Sequence, residues 1–238
     1  MKIISIIPAR GGSKGLLHKN IKLLDGKPLL SYSIEQSLDS IVDKTVVTTD
    51  DKEIANIARE YGASVIMRPD YLATDTVPTE PVIEHVLKIE KPDISVLLQP
   101  TSPIRGVNDI DNVIKLIGKY DSVFSVCKNT RFIWKRNNGK LMSLNYDYKD
   151  RKRRQVLPLE YIENGSIYAF KTRQFLVDNN RICGNYDIYV MSIEHSFEID
   201  SHFDFWLCEQ FMKRWKQSII PILKGDDKKR DYKEEKDI

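Results

Sequence analysis

"KIISIIPARGGSKGLLHKN", residues 2–20, joins an apolar run to a loop that is rich in glycine and basic residues. The β-branched segment at residues 2–7 has the near-continuous apolar pattern of a strand buried on both faces of a sheet. The following loop contains three glycines and the cations Arg10, Lys14 and Lys19. Because loops at the carboxyl ends of strands in open α/β sheets bind ligands, this stretch predicts an anion site after the first strand.

Strand-like and helix-like segments alternate along the N-terminal half. Strand-like runs are KTVVTTD (44–50), ASVIMR (63–68), DISVLLQ (93–99) and DSVFSVC (121–127). Amphipathic segments lie between them; Gly62 is expected to stop the second helix and Thr79 to cap the third. Strand–helix repeats with short connections predict an α/β fold, with a mostly parallel sheet covered by helices on both faces.

The pattern changes after residue 127. RFIWKRNNGKLMSL (131–144) predicts a hairpin that turns at NNG, and two more strands are expected in NGSIYAF (164–170) and YDIYVMS (186–192). A closing helix is expected over 200–217. We therefore expect one domain over 1–218, with an insert at about 128–160, and a charged, disordered tail over 219–238.

Composition narrows the class of protein. Of the 238 residues, 30% are charged and the formal net charge is +3, which is too small to indicate a nucleic-acid partner. No stretch approaches the roughly 20 apolar residues of a membrane span. The three cysteines are far apart and lack a CxxC spacing, as is typical of free thiols in a reducing compartment. A cytoplasmic protein is expected.

The loop of the opening stretch matches neither of the two commonest phosphate-binding patterns. A Walker A loop requires G-x-x-x-x-G-K-[ST], but here Lys14 precedes Gly15 and Leu16 follows. The dinucleotide pattern G-x-G-x-x-G fails because Gly11 and Gly12 are adjacent. The loop is therefore either a cationic phosphate cradle of another kind or a glycine-rich turn with solvated lysines.

Six further motifs follow in order: TTD (48–50), RPDYLATDT (68–76), LLQPTSPIR (97–105), RRQVLP (153–158), ENGSIY (163–168) and FEID (197–200). With IPARGGSKG and the later Lys19-Asn20 pair, they resemble the CMP-sialic acid synthetases, the acylneuraminate cytidylyltransferases. The resemblance extends from Lys2 to about Glu209. It implies a three-layer, Rossmann-like nucleotidyltransferase fold with a small β-rich dimerisation insert.

The resemblance also implies an activity. In this family the anomeric hydroxyl of a nine-carbon 2-keto sugar acid attacks the α-phosphorus of CTP, giving a CMP-sugar and pyrophosphate. It implies Mg2+ and a homodimer. Alternatives are the same reaction on legionaminic, pseudaminic or 3-deoxy-octulosonic acid, a sugar-1-phosphate nucleotidyltransferase, and a non-catalytic nucleotide-binding relative.

For CTP, the resemblance implies contacts from the opening loop and from the loop after the third strand. The expected nucleotide-binding residues are Ala9, Arg10, Gly11, Ser13, Lys14, Lys19, Asn20, Arg68 and Thr76. Arg10 and Lys19 are also expected to be catalytic, because nucleotidyl transfer depends on charge neutralisation. An alternative interpretation leaves Arg68 as a surface arginine. Pro78 stands where some relatives have serine or threonine, so no contact is assigned there.

For the sugar acid, the resemblance implies Gln99, Arg154 and Tyr168 as binding residues. Arg154 is expected to be catalytic as well, with Arg153 as an alternative because the register is open by one residue. On charge alone, KDRKRRQ (149–155) is a solvated basic run. QPTSP (99–103) is also typical of a rigid turn, and a rigid turn would position Gln99 well.

The expected metal ligands are Asp200 and Glu198. Magnesium takes carboxylate and phosphate oxygens. Relatives often carry two aspartates one residue apart in this motif, whereas this chain has Glu-Ile-Asp. Alternation along a strand would place both carboxylates on one face, where Glu198 can ligate the metal or act as a base.

The insert carries apolar residues in a polar setting. Phe132, Ile133 and Trp134 stand in succession in its hairpin. They fit either a contact between two subunits or a small satellite core.

Overall fold

The computed structural model describes the backbone of residues 1–12 and 15–223, and their side chains other than those of Arg154 and 215–223. Within this part of the chain, the strands are β1 (Ile3–Pro8), β2 (Leu23–Leu24), β3 (Lys27–Pro28), β4 (Lys44–Thr49), β5 (Ser64–Met67), β6 (Ile94–Leu98), β7 (Ser122–Lys128), β8 (Trp134–Asn137), β9 (Lys140–Ser143), β10 (Tyr161–Lys171) and β11 (Tyr186–Val190). The α-helices are α1 (Leu29–Leu38), α2 (Lys52–Glu60), α3 (Thr79–Glu90), α4 (Asp109–Leu116), α5 (Thr172–Asp178) and α6 (His202–Leu223).

Seven of the described strands form one sheet, in the order β11-β7-β10-β6-β1-β4-β5. β1 pairs in parallel with β4 and β6, and the pairs β4–β5 and β7–β11 are parallel too. β10 runs antiparallel between β6 and β7. Residues of α1, α2 and α4 pack in one apolar cluster, and residues of α3 and α5 pack in another. The predicted three-layer α/β fold with a mostly parallel sheet is confirmed.

β1 occupies the point at which the strand order reverses. The next long strand along the chain, β4, lies on one side of it, and β6 lies on the other. Ile4, Ile6 and Ile7 are fully buried, as the apolar pattern of this segment predicts. Open α/β sheets bind ligands outside the carboxyl ends of their strands at such a reversal. The loop after β1 therefore opens onto the expected crevice.

Both ends of α2 follow local sequence signals, whereas the start of α3 does not follow the predicted one. Asp51 caps α2 by accepting hydrogen bonds from the backbone N–H groups of Glu53 (2.7 Å) and Ile54 (3.0 Å). Gly62 follows α2 with φ +89°, which confirms the predicted stop. The expectation that Thr79 caps α3 is wrong. Pro78, whose backbone is extended, occupies the cap, and Thr79 is the first helical residue.

A bulge in β10 shapes one end of the sheet. The pairing register between β10 and β7 shifts between Glu163 and Tyr168, and Gly165 between them has φ +67°. A Cβ atom at Gly165 would lie 3.1 Å from Oε1 of Glu198. Both the backbone conformation and this close approach favour glycine. The bulge therefore lets the segment that contains Glu198 lie close against the sheet.

The insert at 128–160 projects the β8–β9 hairpin. Asn138 and Gly139 form its turn, with φ values of +46° and +78°, as the NNG signal predicts. Phe132 packs against Tyr146, with ring centroids 4.1 Å apart. Leu141 and Leu144 are 57% and 55% exposed. The hairpin thus has both a small aromatic cluster and an exposed apolar surface.

The chain closes with α6, which Ser201 and Asp204 cap through reciprocal hydrogen bonds. The helix continues to Leu223, past the predicted domain end at 218. The charged stretch 224–238 lies outside the described residues, so its disorder stays a prediction. Among the described helices, none combines the length and the apolar character needed to cross a bilayer.

Candidate active site

A pocket of about 380 Å³ opens at the carboxyl ends of β1, β5 and β6. Its polar lining includes Arg10, Lys19, Asn20, Arg68 and Asp200. We call it the basic pocket, because its three cations outnumber its two carboxylates, Asp75 and Asp200. Guanidinium and ammonium groups around one cavity suit a polyphosphate, since each can donate charge-assisted hydrogen bonds to phosphate oxygens.

Part of the lining of the basic pocket is apolar. Leu72, Val77, Pro78 and Val82 supply apolar surface, and Thr79 stands at the start of α3 beside them. A planar base can pack on such a wall while a few polar groups set its orientation.

Thr76, the nucleotide contact expected on this loop, does not line the basic pocket. It is exposed, and its hydroxyl lies 3.3 Å from that of Thr74. Thr79 lines the pocket instead, because α3 begins there and presents its first turn to the cavity.

Arg10 lies two residues beyond the end of β1, directly after the buried Ala9. Its side chain is about one-third exposed and forms an ion pair with Asp75. Its backbone carbonyl accepts a hydrogen bond from Nδ2 of Asn20 (3.0 Å), which is itself buried. Asn20 therefore both lines the pocket and holds the loop that carries Arg10. Ala9 belongs to the apolar core rather than to the lining.

Glycines bring the opening loop close to its neighbours. The backbone N–H of Gly11 donates to Oδ1 of Asp50 (3.1 Å), and a Cβ there would lie 2.7 Å from Oδ2 of Asp51. A Cβ at Gly15 would lie 2.7 Å from the backbone oxygen of Asp200. A side chain at either position would force the loop to shift. Gly11 does not itself line the basic pocket.

Two other predicted nucleotide ligands, Ser13 and Lys14, lie outside the described residues. Lys19 is described, and its side chain is 13% exposed. Its Nζ donates to the carbonyl oxygen of Ile199 (2.8 Å) and to Oδ1 of Asp200 (3.2 Å). Lys19 thus ties the opening loop to the FEID segment.

Arg68 is a buried member of the basic pocket, 8% exposed, so its interpretation as a surface arginine is wrong. Its Nη2 donates to the backbone oxygen of Thr48 (2.7 Å). Burial lowers the pKa of Arg68; the charge of Asp50 opposes this effect and the charge of Arg10 adds to it. A bound anion would stabilise both guanidinium groups.

A second cavity, of about 440 Å³, adjoins the first. Gln99, which directly follows β6, lines both. The other polar residues of this second cavity are Glu163, Tyr168, Asn180, Arg181 and Glu198. We call it the acidic pocket. Its carboxylates, amides and guanidinium can hydrogen-bond a polyhydroxy ligand on several sides.

Tyr168 forms the floor of the acidic pocket. It is 3% exposed, and its hydroxyl donates to the carboxylate of Glu163. The guanidinium of Arg181 lies 5.1 Å from the centre of its ring, and Nε of Arg181 donates to Oε1 of Glu80 (2.8 Å). Burial raises the pKa of Tyr168, and the hydrogen bond to Glu163 raises it further, so the phenol stays protonated. These contacts fix the orientation of the ring.

The two expected metal ligands are divided between the pockets. Residues 196–200 are irregular rather than a strand, so the expectation that Glu198 and Asp200 share one face through strand alternation is wrong. Asp200 lines the basic pocket and is 71% exposed, whereas Glu198 lines the acidic pocket. The segment bends here because it passes between the opening loop at Gly15 and the β10 bulge at Gly165.

The carboxylates of Glu198 and Asp200 nevertheless influence each other. Partial burial raises the pKa of Glu198, and the negative charge of Asp200 raises it further. A magnesium ion held by hard oxygen donors would relieve this repulsion. The described residues contain no cluster of three or more acidic, histidine or cysteine side chains placed for a metal. Two carboxylates with phosphate oxygens are the donor set that magnesium commonly takes, so the residues present fit the ion.

Arg153 and Arg154, the arginines expected at the sugar acid, belong to the insert. Arg153 is exposed, and Arg154 starts a short 3-10 helix (Arg154–Val156) in the insert. Among the described side chains, none of this insert lines the basic or the acidic pocket. Gln99 and Tyr168, in contrast, meet in the acidic pocket.

Several residues of the two pockets are not among the predicted site residues. Asp75 lies within the RPDYLATDT stretch, and Thr79 lies three residues after it. Their closeness to this motif is the sequence signal that points to them. Asn180 and Arg181 follow α5 in a segment without a motif. They reach the acidic pocket because the chain returns there between the antiparallel β10 and the edge strand β11.

Comparisons with known proteins identify the family of the chain. Residues 4–235 match the family described as "Cytidylyltransferase". An N-acylneuraminate cytidylyltransferase of Escherichia coli is 36% identical over 234 residues, which cover 94% of this chain and 55% of that protein. The chain therefore spans about half the length of this relative. A CMP-N,N'-diacetyllegionaminic acid synthase of Legionella pneumophila is 35% identical, covering 92% of this chain and 100% of that protein.

Solved structures support the same fold. A CMP:2-keto-3-deoxy-manno-octonic acid synthetase complexed with CTP has a TM-score of 0.70 at 17% identity, covering 90% of this chain and 100% of the other. A 4-diphosphocytidyl-2C-methyl-D-erythritol synthase from Anaerococcus prevotii has a TM-score of 0.66 at 12% identity. The family match and the relatives at 31–36% identity confirm the resemblance. The chain belongs to the cytidylyltransferase family, in the group that includes the CMP-sialic acid synthetases.

Proposed function

We propose that the protein activates a sialic acid-type nonulosonic acid with CTP, releasing the CMP-sugar and pyrophosphate. The junction of the basic and acidic pockets at Gln99 carries this proposal. A triphosphate in the first pocket and a polyhydroxy acid in the second would meet at this residue. The match to the cytidylyltransferase family and the names of the relatives support the same chemistry.

Charge neutralisation and positioning perform the reaction. Arg10, Lys19 and Arg68 hold the triphosphate in the basic pocket, while Asn20 and Thr79 contact the nucleoside. Gln99 and Tyr168 orient the acceptor so that its anomeric hydroxyl faces the α-phosphorus. The hydroxyl gives its proton to water as its oxygen bonds to that phosphorus, and the bond from the α-phosphorus to the bridging oxygen breaks, so that pyrophosphate leaves with that oxygen. Fixed cations favour the charge that develops on the phosphates.

Asp200 and Glu198 would hold magnesium at the border between the pockets. When bound, the ion would neutralise phosphate charge and help to align the transferred group. The remaining nucleotide contacts proposed from the family are Ala9, Gly11, Ser13, Lys14 and Thr76.

We further propose a cytoplasmic homodimer in which the insert reaches the partner subunit. All three cysteines lie in the described chain and are free thiols, as is usual in a reducing compartment. The exposed apolar surface of the hairpin supports a protein contact. In such a dimer, Arg154 or Arg153 would act at the sugar acid of the other subunit.

The dimer is testable by sedimentation. We expect wild-type protein to sediment at twice the mass of the chain, and the variant Leu141→Glu/Leu144→Glu to sediment as a monomer, because two charges would be buried in the contact. Leu176→Glu is the matched control, since Leu176 is 54% exposed on α5. A wild-type monomer at micromolar concentration, or a double variant that still dimerises, contradicts this prediction.

The activity is tested with CTP, Mg2+ and a panel of sialic, legionaminic, pseudaminic and 3-deoxy-octulosonic acids. We expect pyrophosphate release with the sialic acid. The panel is needed because identities to the sialic and legionaminic relatives are nearly equal, 36% and 35%. Preference for another acid would revise the substrate. If CTP binds but no acid supports release, the enzyme assignment fails and a nucleotide-binding relative is the better description.

A further inference from the structure

Arg105, the last residue of LLQPTSPIR, is a buried guanidinium, 8% exposed, outside the basic and acidic pockets. Its Nη1 donates to Oγ of Ser33 (3.0 Å) and Oε1 of Gln36 (2.8 Å), both on α1. Its Nη2 donates to the backbone oxygens of Gln99 (2.9 Å) and Ser166 (3.0 Å). The four terminal N–H groups of the guanidinium therefore join α1, the end of β6 and the β10 bulge.

These bonds fix the peptide groups on both sides of Gln99. Its backbone N–H donates to the oxygen of Ser166 (3.3 Å), while its own oxygen accepts from Arg105. The turn is closed further by Nε2 of Gln36, which donates to the oxygen of Pro103 (2.8 Å). The side chain of Gln99 lines both pockets, so the direction in which it points depends on this brace.

The chemistry of the brace argues for positioning rather than for stability alone. All four acceptors are neutral, and the negative charge of Asp109 partly offsets the burial of the guanidinium. Burial lowers the pKa of Arg105 to about 9. A charge buried among neutral acceptors gains little net stability, because desolvation opposes its hydrogen bonds. What arginine provides here is a rigid planar fork that sets the distance between three elements.

We propose that Arg105 is a positioning residue for the sugar-acid acceptor: it holds Gln99 at the junction of the two pockets without touching either substrate. This inference rests on the proposed cytidylyltransferase function. The inference places Arg105 on the acceptor side of the reaction, because its hydrogen bonds reach the end of β6 and β10 and not the loop that carries Arg10.

The variant Arg105→Lys tests the proposal, because one ammonium group cannot span the carbonyls of Gln99 and Ser166 and the two acceptors on α1. We expect kcat/KM for the acceptor to fall on the order of 10- to 100-fold, as small displacements of positioned groups do. The dissociation constant for CTP should stay within about twofold of wild type, because the cation cradle is intact. Arg59→Lys, at an exposed site on α2, is the matched control.

Rescue by a small ion separates positioning from general damage. Arg105 lines a further cavity of about 310 Å³, so Arg105→Ala would leave a site that a free guanidinium ion can enter. We expect guanidinium at millimolar concentration to restore acceptor kcat/KM in Arg105→Ala, and neutral urea not to restore it. Thermal unfolding and CTP binding report whether this variant folds; if it does not, Arg105→Lys alone decides.

Two outcomes overturn the inference. In the first, Arg105→Lys has the same kcat/KM for the acceptor as wild type. In the second, Arg105→Lys loses CTP affinity in parallel with its loss of kcat/KM for the acceptor. Wild-type protein inactive with every acid would instead refute the proposed function. In that case, the rate of amide hydrogen exchange in a peptide covering 99–106 tests the brace without an activity assay. Arg105→Lys should speed its exchange and leave that of 3–12 unchanged, and equal rates in both proteins would reject the brace.

Discussion

Replacing Arg10 with alanine should lower kcat/KM for CTP on the order of 10²- to 10³-fold, the usual effect of removing one group that stabilises transition-state charge. Arg10 follows the strand at the reversal of the sheet and lines the basic pocket. Its guanidinium pairs with Asp75, a contact that an incoming phosphate can replace. The initial rate of pyrophosphate release at saturating acceptor measures the effect.

Two variants make the result specific. Arg10→Lys keeps the charge but loses the planar fork, so it should retain part of the activity that Arg10→Ala loses. Arg59→Ala removes an exposed arginine on α2 and should behave as wild type. Unchanged thermal unfolding in all three proteins would show that the fold is intact. An Arg10→Ala rate within about threefold of wild type would remove Arg10 from the transition-state contacts.

The fold was largely predictable because its signals are local. A parallel strand such as β1 is buried on both faces and therefore shows as a continuous apolar run, and Gly62 ends α2 through its own backbone conformation. The structure differs from the prediction where contacts with neighbouring segments override the local sequence preference. Pro78, rather than Thr79, is the N-cap residue of α3. Residues 196–200 are irregular because they lie against both the opening loop and the β10 bulge.

The candidate site was predictable only in part, for a related reason. Arg10 and Gln99 lie just beyond the ends of β1 and β6, where the topology alone places them together. Lys19 and Asn20 lie in a short 3-10 helix (Lys19–Ile21) after the opening loop. Arg181, in contrast, reaches the acidic pocket through a loop between α5 and β11 and is held there by Glu80 and Tyr168. No period or motif in the sequence encodes such a meeting of distant segments.

The brace at Arg105 shows the same limit. The QPTSP stretch predicts a rigid turn, and hydrogen bonds to the backbone oxygens of Gln99 and Pro103 close this turn. What the sequence did not show is that its rigidity comes from α1 and β10, through a single buried guanidinium.

Asp200→Asn is expected to lower kcat on the order of 10²- to 10³-fold and to raise the Mg2+ concentration needed for half-maximal rate. Its amide oxygen can still accept from Nζ of Lys19, so the loss would report the missing charge rather than a missing contact. Glu198→Gln should have a smaller effect if Asp200 is the principal ligand. Glu209→Gln, which alters an ion pair within α6, is the control.

Metal binding distinguishes this explanation from a role of Asp200 in folding the loop. The Asn variant is preferable to alanine, because its amide has nearly the size of the carboxylate and its oxygen can still accept from Lys19. Binding of Mn2+ in the presence of CTP, followed by electron paramagnetic resonance, should weaken in Asp200→Asn while CTP alone still binds. If the variant loses activity but its Mn2+ affinity is unchanged, Asp200 is not a metal ligand. Its effect would then arise through Lys19, the side chain with which it pairs.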